Sequence, residues 1–167
     1  YVPIMDKKSY LNKYPLNDLC RYPMNHAATM AMSSGATGEP LKYLVAREYL
    51  QSLPGGLVAL WDYFWDICDA EKKVLMIYAG ALGIWMGGTL GVLSYIEAYR
   101  KYKNISFALP GTDVDRIIDI LEVLGDKHDL IVIGTYPSFF KTVLDVEDMK
   151  RLKWNKYNIK VFCGGEL

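Results

Sequence analysis

A mostly parallel α/β sheet with helices on its faces is the fold class this sequence predicts, and three observations predict it. From Val74 onward, short apolar runs of four or five residues alternate with segments whose apolar residues recur at helical spacing. Glycine or proline follows the runs closely, as expected where buried strands end in turns. The chain has 167 residues, of which 51% are hydrophobic and 23% charged, enough to build one sizeable core. Strands separated by helical crossovers imply parallel pairing.

The elements follow in order. Met30 to Ser33 reads as a strand that feeds a run of hydroxyl residues and glycines. Val74 to Tyr78 reads as a buried strand, Ala79 to Gly83 as a glycine turn, and the residues after it as a helix packed inside the protein. A competing reading exists, because Val74 to Ile96 is 23 residues without a charge and Gly83, Gly87 and Gly91 sit four apart, the spacing of a helix-packing face in membranes. Five glycines in those 23 residues would make a weak continuous helix, which favours strand, turn and helix over a membrane span. Ile105 to Leu109 is the next strand, stopped by Pro110-Gly111. Val114, Ile117, Ile118, Leu121 and Leu124 then mark an amphipathic helix, with Thr112 expected as N-cap and Gly125 as the stop. Leu130 to Ile133 is a third strand, Pro137 to Leu144 a third helix, Glu147 to Asn158 a short helix and loop, and Ile159 to Phe162 the fourth strand.

Charge and composition exclude several function classes. Lysine plus arginine balances aspartate plus glutamate at 19 each, so no broad field draws the chain to nucleic acid or an anionic membrane. Small molecules are the expected partners. Cys20, Cys68 and Cys163 are odd in number and far apart, which fits reduced thiols in a cytoplasmic protein rather than a disulfide frame. No Cys-x-x-Cys pair or His/Cys cluster suggests a metal site, and His26 and His128 stand alone. The amino terminus shows neither an initiator methionine nor a signal-peptide pattern, and the chain is expected to be cut from something longer.

The run Ser33-Ser34-Gly35-Ala36-Thr37-Gly38-Glu39-Pro40 carries the chemistry. Glycines let successive backbone N–H groups approach an anion while serine and threonine hydroxyls donate beside them. Pro40 keeps the turn from winding into a helix. The run is not a Walker loop, because Glu39 and Pro40, not lysine and a hydroxyl residue, follow Gly38. Its bland alternative is a surface turn. Independently, ligands of open α/β sheets sit beyond the carboxyl ends of the strands. Here those ends carry Ala79-Gly80, Pro110-Gly111, Gly134-Thr135-Tyr136 and Cys163-Gly164-Gly165-Glu166.

With Lys42 just beyond it, this octapeptide resembles the signature loop of the adenylate-forming enzymes, the acyl-coenzyme A synthetases and ligases, and its flanks resemble the phenylacetate-coenzyme A ligase branch. The resemblance runs from about Asn25 to Leu167, departing at Ala36, where the family prefers serine or threonine, and at Glu39, where lysine is commonest. It implies that Ser33, Ser34, Gly35, Thr37, Gly38 and Lys42 hold ATP phosphates. It further implies that Gly164, Gly165 and Glu166 pass the adenine and one wall of an acyl pocket, and that Trp85 and Tyr136 face the acyl group; for these two aromatics, plain core packing is the alternative.

The implied reaction is carboxylate plus ATP giving acyl-adenylate and pyrophosphate, then a thioester with coenzyme A, with an aryl acid such as phenylacetate as substrate. The implied magnesium ligand, the ribose-binding aspartate and the distal lysine all lie outside these residues. The chain is therefore expected to be an incomplete N-terminal AMP-binding domain, residues 1–167, inactive alone, with the C-terminal domain absent and a homodimer possible through apolar surface left uncovered. A non-catalytic nucleotide-binding module derived from such an enzyme is the alternative.

Overall fold

The computed structural model describes residues 6–33, 40–146, 152 and 154–165. Two sheets result. Strands β1 (Ala27–Met32) and β2 (Lys42–Ala46) form an antiparallel hairpin, and β3 (Val74–Ala79), β4 (Ile105–Ala108), β5 (Leu130–Thr135) and β6 (Ile159–Cys163) form a parallel sheet in the order β4-β3-β5-β6. Five α-helices accompany them: the one-turn α1 (Leu16–Leu19), then α2 (Arg47–Trp65), α3 (Met86–Lys101), α4 (Val114–Leu124) and α5 (Pro137–Asp145). The expected fold class is observed.

The central strands are apolar throughout because both of their faces are covered. Val74 and Met76 of β3 join Leu130 and Val132 of β5 in one core with Val58 and Trp61 of α2 and Tyr95 and Ala98 of α3. Their alternates, Leu75, Ile77, Ala79, Ile131 and Ile133, join Ile117 and Leu121 of α4 and Val143 of α5 in the other. The period of two thus sorts each strand between two layers of helix.

Helix α2 has no counterpart in the sequence reading. Pro54, Gly55 and Gly56 lie inside it, and they cost about 3 kcal/mol and about 1 kcal/mol each in intrinsic propensity. Burial of Pro54, Val58 and Trp61 overrides that cost.

Local corrections have equally physical causes. The N-cap of α4 is Asp113, whose carboxylate accepts the Arg116 N–H at 3.1 Å, rather than Thr112. Gly125 does end α4, but in a right-handed conformation that continues into a 3-10 turn; a side chain there would press on the Tyr157 ring. The Val74 to Ile96 stretch divides into β3, a loop and α3, and no helix among the described residues is long and apolar enough to cross a membrane. Gly91 serves an internal purpose: the Tyr78 ring lies against it, and a Cβ there would collide with the ring. Half of the expected helix and loop at Glu147 to Asn158 falls outside the described residues; Trp154–Lys156 forms one 3-10 turn.

Two polar contacts seal the core. The Asn104 side-chain amide lies 2.9 Å from each of the Ile67, Asp69 and Lys72 carbonyl oxygens, so one residue ties down the α2–β3 connection. The Tyr95 hydroxyl, fully enclosed, donates to the Ile77 carbonyl at 3.3 Å, and burial pushes its phenol far above the ordinary range.

Three outcomes are expected. Asn104→Ala lowers unfolding free energy by about 2–3 kcal/mol in denaturant titration, because it leaves carbonyls without donors. Gly91→Ala lowers it by about 1–3 kcal/mol through overpacking against Tyr78, and Tyr78→Leu in the same chain recovers part of the loss. Above pH about 10 the unfolded phenol of Tyr95 ionises while the folded one keeps its proton. The folded state then binds more protons, so stability falls as pH rises. Tyr95→Phe flattens that alkaline decline.

Candidate functional site

The crossovers locate a crevice. From β3 the chain leaves to the face that carries α3, and from the adjacent β5 it leaves to the face that carries α5, so β3 and β5 flank the topological switch point of the sheet. Their carboxyl ends are tied together, with the buried Thr135 hydroxyl donating to the Ala79 carbonyl at 2.7 Å. The Gly164 N–H in turn donates to the Thr135 carbonyl at 3.2 Å, which fixes the end of β6 beside β5. Gly134 admits no side chain because the Tyr95 hydroxyl occupies that space. Gly164 and Gly165 have open space around them, and Gly165 adopts φ +95°, a conformation that favours glycine.

Tyr136, half-buried, is the N-cap residue of α5 and makes no side-chain capping bond; its ring packs on Phe139 at 5.6 Å between centroids. Trp85 holds the same place before α3, again without a side-chain cap. Two helix N-termini therefore end at this rim with first-turn N–H groups that no capping side chain satisfies, a favourable setting for negative charge. Cys163 also lies here, and desolvation pushes its thiol up, which keeps it protonated near neutral pH.

The strand expected at Met30 to Ser33 exists as β1, but it belongs to the hairpin rather than to the parallel sheet. Its end nonetheless reaches the rim. The Met32 N–H donates to the Ile84 carbonyl at 2.9 Å, and Met32 bridges Trp85 in parallel fashion. Ser33 then closes the neck of the hydroxyl-glycine loop: its N–H donates to the Leu41 carbonyl at 3.0 Å, and its hydroxyl accepts the Leu41 N–H at 2.9 Å. The hydroxyl hydrogen of Ser33 is left to donate elsewhere. Lys42, exposed, opens β2 directly opposite Met32. Ser34, Gly35, Thr37, Gly38 and Glu166 lie outside the described residues.

Among the described residues no group of three or more His, Cys, Asp or Glu converges to hold a metal. Two contributors escaped the sequence reading: Tyr78, whose hydroxyl sits against Gly80 at the crevice, and Thr135 as the cross-strand tie. Val-Ile-Gly-Thr-Tyr did signal a strand end, but register alone reveals which carbonyl a threonine meets.

Two crystal structures of 2-hydroxyisobutyryl-CoA ligase share this fold. One, in complex with 2-HIB-AMP and CoA in the thioesterification state, superposes with a TM-score of 0.68 at 19% sequence identity; the other, an open conformation with the same two molecules, gives 0.68 at 17%. Each match covers 96% of this chain and 32% of the ligase chain, so the chain spans about a third of their length. The four-stranded parallel sheet with its flanking helices thus matches part of the fold of this CoA ligase. No protein-family model matches the sequence, and no curated protein matches it significantly.

Thr135→Val removes the donor to the Ala79 carbonyl while keeping shape. It is expected to cost about 1–2 kcal/mol, and its amide-exchange protection should fall at the β3 and β5 ends while the α2 core stays protected.

Proposed function

We propose that this chain is the phosphate-handling portion of an ATP-dependent acid ligase, which activates a carboxylic acid as its adenylate and passes the acyl group to coenzyme A. The observation that carries the reading is the Met32–Ile84 bond, which seats the neck of a Ser/Gly/Thr loop beside the uncapped N-terminus of α3 at the rim of the sheet. The likeness in fold to CoA ligases supports it.

In this mechanism the loop holds the outer phosphates of ATP. Ser33 and Lys42 flank the loop neck, where the Ser33 hydroxyl donates and the Lys42 ammonium offsets charge. The carboxylate oxygen attacks the α phosphorus, the bond to the bridging oxygen breaks, and pyrophosphate leaves with the electron pair. Negative charge grows on the phosphoryl oxygens and on the leaving group, so donors and cations placed there beforehand lower the barrier. Gly164, Gly165 and Glu166 border the adenine, and Trp85 and Tyr136 border the acyl group. An aryl acid, phenylacetate among them, is the substrate that these two aromatic side chains would suit. Residues 1–167 act as an incomplete AMP-binding domain, cytoplasmic and capable of self-association, and need further protein to complete turnover.

Two measurements test this. Equilibrium dialysis with ATP on the 167-residue chain should show saturable binding that Ser33→Ala or Lys42→Ala weakens about tenfold. Acid-dependent exchange of pyrophosphate into ATP, assayed in the longest natural chain that contains these residues, should be fastest with aryl acids and fall with Tyr136→Ala. ATP binding without any acid-dependent exchange would favour a non-catalytic nucleotide-binding module, to which Ala36 and Glu39 already lean. No ATP binding at all would overturn both readings.

A further inference from the structure

A cavity of about 930 Å³ lies beside the hairpin, and Ser33, Lys42 and Met86, the first residue of α3, are among its lining. Its walls include the segment that precedes the hairpin, the start of α2, and β2 with the two residues before it, so that the consecutive residues Pro40 to Ala46 all contribute. Among the described residues strand β2 pairs with β1 alone, so its other edge presents backbone donors and acceptors that no described strand satisfies.

The side chains have a consistent character. Tyr14, Tyr22, Tyr43 and Tyr49 supply four aromatic faces, each more than a third exposed, and Arg21 and Lys42 supply two cations. No aspartate or glutamate is among the described lining residues, in a protein whose acidic and basic residues are equal in number. Neither cation makes an ion pair among the described residues, and the Arg21 guanidinium stands 5.8 Å over the Tyr22 ring. A neutral apolar ligand would leave the cations and the strand edge without partners, and a small inorganic anion would leave the tyrosines unused.

We infer that this cavity is a binding site for a flat aromatic anion, up to the size of a nucleotide, whose ring packs among the tyrosines while its charged group meets Arg21 and the free edge of β2. The cavity adjoins the rim that the proposed ligase reaction uses and shares Ser33 and Lys42 with it. Arg21 and Tyr49 belong to the cavity alone, so their substitution separates the two sites.

The test is a titration of the ¹⁵N-labelled 167-residue chain with 1-naphthyl phosphate, followed by amide chemical shifts, with 1-naphthol as the uncharged counterpart and cyclohexyl phosphate as the non-aromatic one. The expected result is saturable binding with shifts at Tyr22, Tyr43 and Tyr49. Both control compounds and the variants Arg21→Gln and Tyr49→Leu should bind about tenfold more weakly, while ATP affinity is unchanged in the two variants. Arg21 and Tyr49 are exposed, and an unaltered thermal midpoint verifies that the variants fold. Equal binding of 1-naphthol, shifts confined to Tyr136 and Gly164, or binding that survives Arg21→Gln but is lost in Lys42→Ala would each overturn the inference, the last by assigning the phosphate to the loop.

Discussion

A strand enclosed on both faces and both edges must satisfy every backbone polar group with a neighbour and every side chain with a fitted space, and β3, like β5 beside it, is such a strand. It pairs with β4 from Val74 to Ile77 and with β5 from Val74 to Ala79. Its even-numbered residues pack toward α2 and α3, and its odd-numbered ones toward α4 and α5. Everything at the rim inherits its position from this strand: the Thr135 tie, the loop that receives Met32, and the first turn of α3.

The centre of the parallel sheet was legible because burial on both faces demands nearly unbroken apolar runs, and Val74 and Leu130 each open one, while the edge strands opened by Ile105 and Ile159 are only partly buried. Pro137 marked the start of α5 for an equally direct reason, since proline suits the first helical turn. Helix α2 was not legible, because its Pro54-Gly55-Gly56 signal is one of breakage and the compensating burial of Trp61 is a tertiary fact. The hairpin was half legible. Met30 to Ser33 announced a strand, but its partner across the loop and its attachment to Ile84 depend on where the chain returns.

The candidate site divides in the same way. Glycines at strand ends and the Ser/Gly/Thr run are local signals, and the rim gathers Gly80, Tyr136, Gly164 and Gly165 as the topology demands. The Tyr78 ring, which shapes the crevice, carries no such signal. A tyrosine in a buried strand looks like any other core aromatic until the glycines around it are seen to be missing a side chain for its sake.

That last arrangement couples distant positions in the chain. Tyr78 fits because Gly80 and Gly91 leave it room, and Tyr95 fits because Gly134 does. In related sequences, substitution at these sites should be correlated: a side chain acquired at 91 implies a smaller residue at 78, and one acquired at 134 implies the loss of a phenol at 95. The width of the crevice then drifts by exchanges of volume between strand and helix, not by single replacements, and homologues with different pocket sizes should differ at two positions or at none.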